Sequence, residues 1–120
     1  MTQENKDLLL KDLCSRLPYG VKMNHIADDE HSPKTLIGAA KDMITLKGLG
    51  GYECVDIEDY KPYLFPLSSM TWEQECQYRE VIASSLNHYE VYDWFNKNHF
   101  DYRCLIEKGL AIDATGKNIY

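Results

Sequence analysis

The stretch TLIGAAKDMITLKGLGGYECVDI, residues 35–57, decides the fold. Turn-forming residues separate three short apolar segments in it: 35–40, 43–46 and 52–57. Gly50-Gly51 is the strongest turn signal, because glycine tolerates the positive φ that tight hairpins need. Together with an extended segment at 21–26, these segments predict a small antiparallel meander. A curled, SH3-like partial barrel capped by helices is the economical way to bury both faces of so short a sheet.

An amphipathic pattern before the meander predicts an N-terminal helix. Thr2 is a candidate N-cap, and Pro18-Tyr19-Gly20 ends the pattern. The apolar stripe repeats every three or four residues: Leu9, Leu10, Leu13, Cys14 and Leu17.

The second half of the chain predicts helices. Thr71 and Gln74 have the spacing of a capping box, and Asn87 with Glu90 repeats it. The first of these helices would bury Tyr78, Val81, Ile82 and Leu86, and the second would run to about residue 98 and bury Val91, Trp94 and Phe95. A third short helix is expected over 101–110, with frayed residues from 113 on. The prolines in 60–67 predict an ordered connection rather than a central strand.

The expected fold is therefore α+β, with residues 1–120 as a single domain: an N-terminal helix, a small antiparallel β-meander and C-terminal helices. The length of 120 residues suits one core.

Charge and hydropathy exclude several classes of protein. The formal net charge is −6, and no cluster of Lys and Arg is present, so we expect no nucleic-acid binding. No apolar run approaches the length of a membrane span, and no secretion leader is apparent, so we expect no membrane association and a cytoplasmic location. The acidic excess lies in residues 51–100. These acids line solvated helix faces or capture a basic partner, and the first interpretation is the simpler one.

No motif points to catalysis, a metal or a cofactor. None of the four cysteines has another within four positions, and the histidines lack metal-ligand spacing. Reduced, buried cysteines are expected. Ser68-Ser69 lacks the glycine-flanked elbow of a serine nucleophile. We therefore expect a protein without enzymatic activity.

The richest group of chemistry-bearing residues is at 99–103. It contains His99, Asp101, Tyr102 and Arg103, and a guanidinium at a helix start suits an anionic ligand. The simpler interpretation is that Asp101 caps a helix and Arg103 pairs with one of the nearby acids. Lys61 and Tyr63, beside Tyr60, form a second candidate surface. The nine tyrosines suit an interface, or a partly buried core.

Three stretches resemble small uncharacterised proteins of gut anaerobic bacteria and of their phages and prophages: DLLLKDLCSRLPYGVK at 7–22, KPYLFPLSSMT at 61–71 and WFNKNHFDYRCLIEKGLA at 94–111. Those proteins more often carry a basic residue where this chain has Phe65, and a glycine where it has Cys104. The resemblance implies an accessory role in a bacterial host cell and no particular activity.

Two hypotheses on function follow. The first is an interaction module that binds a protein partner or self-associates. The second is a binder of a small anionic ligand, such as a phage sponge for a nucleotide signal, with Arg103, His99 and Lys61 as contacts. A hydrolase acting through His99 and Asp101 is the least supported alternative.

Overall fold

A computed structural model describes residues 1–27, 33–84 and 88–120. Helix α1 spans Gln3–Arg16 and continues into a 3-10 turn at Leu17–Tyr19. Its predicted cap is confirmed, since the Thr2 hydroxyl accepts a hydrogen bond from the Asn5 amide at 3.1 Å. Gly20 follows with φ +65° and turns the chain into the sheet.

Seven strands within the described ranges form one mixed sheet. They are β1 Lys22–His25, β2 Lys34–Ala40, β3 Met43–Gly48, β4 Gly51–Asp56, β5 Tyr60–Pro66, β6 Phe100–Asp101 and β7 Ile112–Asp113. The predicted meander is confirmed, because β1 to β4 pair in sequence order and antiparallel. Gly48 pairs with Gly51 at the tip of the β3–β4 hairpin, where Gly51 has φ +107°. The polar stretch at 28–33, between β1 and β2, also predicts a turn, but most of it lies outside the described residues.

The strand order is β4-β3-β2-β1-β5-β6, with β7 beside β5. A 3-10 turn at Ile57–Asp59 joins β4 to β5. The predicted α+β class is confirmed, and the SH3-like arrangement of the strands stays a prediction. Over the described residues the pairing ends at β4 and at β6, so the sheet is open rather than a closed barrel.

The expectation that 60–67 is only a connection is wrong, because strand β5 occupies Tyr60–Pro66. This strand changes partners along its length: its first three residues pair with β1, the next two with β7 and the last two with β6. The Phe65 amide donates to the His99 carbonyl at 2.8 Å, and the Leu64 carbonyl accepts from the Ala114 amide at 2.8 Å. Pro62 is tolerated because no single partner needs a long ladder from this strand.

The C-terminal region differs from the prediction in two ways. Residues 102–110 form turns after β6 rather than a helix, although Gly109 has φ +73° and Leu110 is buried, as expected. The last residues are not frayed, since Tyr120 donates its hydroxyl to the Tyr63 carbonyl at 2.8 Å. The same hydroxyl accepts from the Lys22 amide at 2.8 Å. The C-terminal residues are thus held by contacts with strands β1 and β5, which lie far away in the sequence. Local sequence patterns do not encode such contacts.

Helices α2 and α3 span Trp72–Ser84 and His88–Lys97. The first capping box is confirmed, because the Thr71 amide donates to Gln74 Oε1 at 2.9 Å and the Gln74 amide donates to Thr71 Oγ1 at 3.2 Å. Asn87 and Leu86 lie outside the described residues. The Tyr78 ring packs against Trp94 and Phe95, at centroid distances of 5.7 Å and 5.3 Å. Ile82 is exposed, so the predicted buried stripe of α2 is only partly right.

The main apolar core lies between α1 and the sheet. Its fully buried members include Leu9, Leu13, Leu46 and Leu64. The expectation of buried cysteines is wrong, since Cys14, Cys54 and Cys104 are exposed and Cys76 is half-buried. Apolar sequence neighbours do not place a residue on the inner face, because adjacent positions of a helix or strand point in different directions.

Cys104 adopts φ +59°, a left-handed conformation that favours glycine. We therefore expect Cys104→Gly to raise the free energy of unfolding by about 1 kcal/mol, measured by urea denaturation. Cys14→Gly is the matched control. It makes the same change inside helix α1 and should lower the stability by about 0.5 kcal/mol. Equal effects of the two substitutions would contradict the strain at residue 104.

Candidate functional site

A buried carboxylate joins α1 to the C-terminal region. Asp12 and Arg16 lie one turn apart on α1, and both are fully buried. Arg16 donates from Nε to Asp12 Oδ2 at 2.8 Å and from Nη2 to Asp12 Oδ1 at 3.1 Å. Arg103 donates from Nη1 to the same Asp12 Oδ1 at 2.8 Å. One carboxylate thus serves two guanidinium groups: it is the counter-charge of the fully buried Arg16, while the side chain of Arg103 keeps some exposure to solvent.

The two arginines make further contacts. Arg16 Nη2 also donates to the Phe100 carbonyl at 2.6 Å, which attaches strand β6 to α1. Arg103 Nη1 also donates to Ser15 Oγ at 3.2 Å. The Tyr102 ring lies 5.3 Å from the Arg16 guanidinium and 4.6 Å from that of Arg103. These cation–π contacts fix the orientation of the Tyr102 ring.

Tyr102 continues into an aromatic wall on α3. Its ring stacks on Phe95 with a centroid distance of 5.4 Å and contacts Tyr92 at 5.3 Å. Its hydroxyl donates to the buried Asn96 at 2.9 Å. The rings of this wall are therefore ordered by packing and by hydrogen bonds rather than left free.

An open groove of about 850 Å³ lies between α1 and α3 above this network. Its lining consists of Lys11, Ser15, Tyr89, Glu90, Tyr92, Asp93, Asn96, Tyr102 and Arg103. The α3 residues recur every three or four positions, so they form one face of that helix. We call this feature the tyrosine groove.

Of the six predicted site residues, Tyr102 and Arg103 line the tyrosine groove. Asp101 is buried, and its carboxylate accepts from the amides of Leu105 and Ile106, each at 2.9 Å. Asp101 is thus a cap, as the simpler interpretation had it, although of a turn rather than a helix. Arg103 does pair with an acid, but the acid is Asp12, 91 positions away.

His99 belongs to a different group of contacts. Its ring stacks on Tyr120 with a centroid distance of 3.7 Å. Burial, together with the positive charges of Arg16 and Lys22, lowers the pKa of His99 from 6.5 to about 4. Burial also raises the pKa of the Tyr120 hydroxyl well above its usual value. A neutral imidazole at neutral pH is a poor contact for an anion.

The second candidate surface lies on strand β5. Tyr63 is fully buried there, and its carbonyl accepts from Tyr120. Lys61 is half-buried and pairs with Asn24 in the register of β1 with β5. Neither residue lines the tyrosine groove. The contacts of the described residues therefore divide the predicted site into four parts: the groove, the Asp101 cap, the His99–Tyr120 stack and strand β5.

Sequence reasoning missed the residues that organise the groove. Asp12 and Arg16 flank the buried Leu13 on the inner face of α1, so a charged pair with i,i+4 spacing on an apolar helix face was the available signal. The spacing of Tyr89, Tyr92 and Asn96 on α3 was a second signal.

A comparison of the chain with protein-family models, with curated proteins and with solved structures found no match in any of the three. Within residues 1–27, 33–84 and 88–120, no three His, Cys, Asp or Glu side chains are grouped so that they could hold a metal ion. In the same part of the chain, no helix has the length and apolarity needed to cross a membrane.

Asp12→Asn should lower the free energy of unfolding by about 3 kcal/mol or more, because it leaves the buried Arg16 without a counter-charge. Chemical denaturation measures the loss. Glu58→Gln, which breaks the more exposed pair with Lys6, should cost far less. If the first variant does not fold, Asp12→Leu combined with Arg16→Met should restore folding, since an apolar pair removes both buried charges. Similar small losses for Asp12→Asn and Glu58→Gln would contradict this role.

The lowered pKa of His99 predicts a dependence of stability on pH. As the pH falls below 6.5, the unfolded chain takes up a proton at this histidine before the folded chain does, so stability present above pH 6.5 is lost on the way to about 4. His99→Asn removes the titration and suits the φ of +61° at this position. Between about pH 7.5 and about pH 5, the wild type should lose roughly 1 kcal/mol more than this variant in urea denaturation. Parallel pH profiles would contradict the prediction.

Proposed function

We propose that this chain is a non-enzymatic protein-interaction module that binds a protein partner through the tyrosine groove. We further propose that it acts as an accessory protein in the cytoplasm of a bacterial cell, encoded by the bacterium or by a phage. The observation that carries the proposal is the groove itself, an open cleft with three tyrosines on a prearranged polar base.

The exposure of the tyrosines supports this function. Tyr89 is 82% exposed and Tyr92 is 48% exposed, although both lie on a helix whose other face packs into the protein. Tyrosine offers a large apolar ring and a polar hydroxyl at a low cost in conformational entropy, and it is enriched at the centres of protein interfaces.

The fixed positions of the groove side chains also support the proposed function. The Tyr102 ring lies against two guanidinium groups, and its hydroxyl donates a hydrogen bond to Asn96 Oδ1. A surface whose side chains are already ordered loses less entropy when a partner binds, and this favours affinity.

The small-anion alternative receives less support from the contacts. It needs Arg103, His99 and Lys61 to converge on one ligand. Arg103 already donates to Asp12, and His99 stacks on Tyr120 outside the groove. The hydrolase alternative has still less support. Both carboxylate oxygens of Asp101 already accept hydrogen bonds from backbone amides, so this carboxylate serves the turn.

Site-specific photo-crosslinking tests the proposal. Tyr89 is replaced by the photoreactive p-benzoyl-phenylalanine, and the protein is irradiated inside the cells that naturally encode it. We expect a discrete adduct whose yield falls several-fold when Tyr92→Ala is added, because the second ring supplies contact area. The adduct is identified by mass spectrometry, and an adduct of twice 13.9 kDa would identify the partner as a second copy.

The matched control carries the same photoreactive residue at position 52. Tyr52 is 69% exposed on β4 and does not line the tyrosine groove. The same adducts from both positions, or none from position 89, would overturn the proposed function.

A further inference from the structure

We propose that strand β4 pairs antiparallel with the β4 strand of a second copy of this chain, across a two-fold axis at Cys54. The two sheets then continue into each other. This inference goes beyond the proposed function, because β4 lies at the opposite end of the strand order from β6 and none of its residues lines the tyrosine groove.

The backbone of β4 offers hydrogen-bonding groups on its open side. β4 ends the strand order over the described residues, and the Ile57 amide donates to the Asp42 carbonyl at 2.9 Å, in the register of β3 with β4. In an antiparallel ladder, hydrogen-bonded pairs alternate with pairs whose N–H and C=O groups point away from each other. The N–H and C=O groups of Tyr52 and Cys54, and the N–H of Asp56, therefore face away from β3. They form no hydrogen bond with other described residues.

β4 has little of the protection that edge strands usually carry. Natural edges are short, bulged, or supplied with lysine or proline. The six residues of Gly51–Asp56 include neither lysine nor proline, and they pair with β3 without a register shift. At the other end of the described sheet, β6 and β7 have only two residues each. Pairing of β4 with β4 therefore uses the long open edge of both copies and closes as a dimer rather than an open chain of copies.

The charges of β4 select one register for this pairing. Because only alternate residues face outward, the two-fold axes that give the longest overlap lie at residue 53 and at residue 54. An axis at Glu53 would place that carboxylate directly opposite its own copy, which is destabilising. An axis at Cys54 places Glu53 opposite Val55 instead. It also places Tyr52 opposite Asp56, so like charges are nowhere directly opposite.

The same register brings opposite charges together. Lys47 is the β3 neighbour of Tyr52, and its Nζ lies 5.7 Å from the centroid of that ring. Asp56 of the second copy then lies on the other side of the ring, so a lysine and a carboxylate flank it. Tyr52 is 69% exposed and offers apolar area to this contact. The side chains of the strand thus complement a second copy of the same strand, which is why we assign a copy of this chain as the occupant.

Oxidation of Cys54 tests the pairing. Opposite residues in a hydrogen-bonded pair have Cα atoms about 5.5 Å apart, a separation that a disulfide spans. The variant Cys14→Ser/Cys76→Ser/Cys104→Ser keeps Cys54 alone, and copper phenanthroline with dissolved oxygen accepts the two electrons and two protons that the thiols release. We expect a disulfide-linked dimer of twice 13.9 kDa.

The matched control is Cys54→Ser/Cys76→Ser/Cys104→Ser, which keeps the exposed Cys14 of α1. At about 50 μM protein, the Cys54 variant should form its dimer at least about tenfold faster than this control, because pairing holds its thiols at an effective concentration of about millimolar. Equal rates in the two variants would show random collision and would overturn the inference.

Charge substitutions at the two-fold axis test the pairing without a covalent bond. Cys54→Lys sets two lysines opposite each other and Cys54→Glu sets two carboxylates, so each variant alone should dimerise at least about fivefold more weakly than the wild type in sedimentation equilibrium. An equimolar mixture of the two variants should recover the dimer, because a lysine then faces a carboxylate. Cys14→Lys makes the same change at an exposed residue of α1 and should leave the dimer unchanged.

Two results of the sedimentation experiment would overturn the inference. One is a wild type that stays monomeric up to about 0.5 mM in about 0.15 M salt, where the net charge of −6 on each copy is screened beyond about 8 Å. The other is a mixture that associates no more tightly than the separate variants.

The photo-crosslinking experiment separates this inference from the proposed function. The photoreactive residue at position 52 lies in the pairing strand, so it should give an adduct of twice 13.9 kDa that Cys54→Lys removes. The adduct from position 89 should survive Cys54→Lys, because β4 does not line the tyrosine groove. Loss of the first adduct alone would reject the dimer and leave the interaction module in place. No adduct from position 89 would reject the proposed function and leave the dimer.

Discussion

The carboxylate of Asp12 is the constraint on which the rest of the site depends. It accepts from Arg16 and Arg103, and Arg16 also holds the Phe100 carbonyl. One buried side chain on α1 therefore determines where strand β6 and the following turn lie. Buried ion pairs contribute little net stability compared with apolar packing, but loss of one partner is costly. An arrangement that buried Arg16 away from Asp12 would leave its charge without a partner, at a cost of about 3–5 kcal/mol.

The position of β6 in turn determines the groove. Phe100 is fully buried and stacks on Trp94 with a centroid distance of 5.6 Å, which fixes α3 relative to the sheet. Two residues later, Tyr102 stacks on Phe95 and forms part of the groove. The β6 backbone thus links the ion pair beneath it to the aromatic wall above it. The groove is a consequence of core packing and not an addition to it.

Local signals in the sequence predicted the local elements. The Thr2 cap, the hairpin at Gly50-Gly51 and the capping box at Thr71 each depend on residues close together in the chain, and each is present. Strand β5, the turn after β6 and the anchored Tyr120 depend on partners far away in sequence, so periodicity did not reveal them. The site divides in the same way. Tyr102 and Arg103 stood out by type, whereas the link from Arg103 to Asp12 was hidden because the two residues lie 91 positions apart in the sequence.

The α3 wall of the groove and the ion-pair network beneath the groove differ in how freely they can change. On α1, Asp12 and Arg16 face inward with no exposure, and the fold depends on their contacts. On α3, Tyr89, Glu90 and Asp93 are exposed, and none of the three is among the buried residues. Substitutions of these residues therefore change the ring area and the charge at the groove while the Asp12 network stays intact. Under the proposed function, recognition and stability therefore depend on different residues.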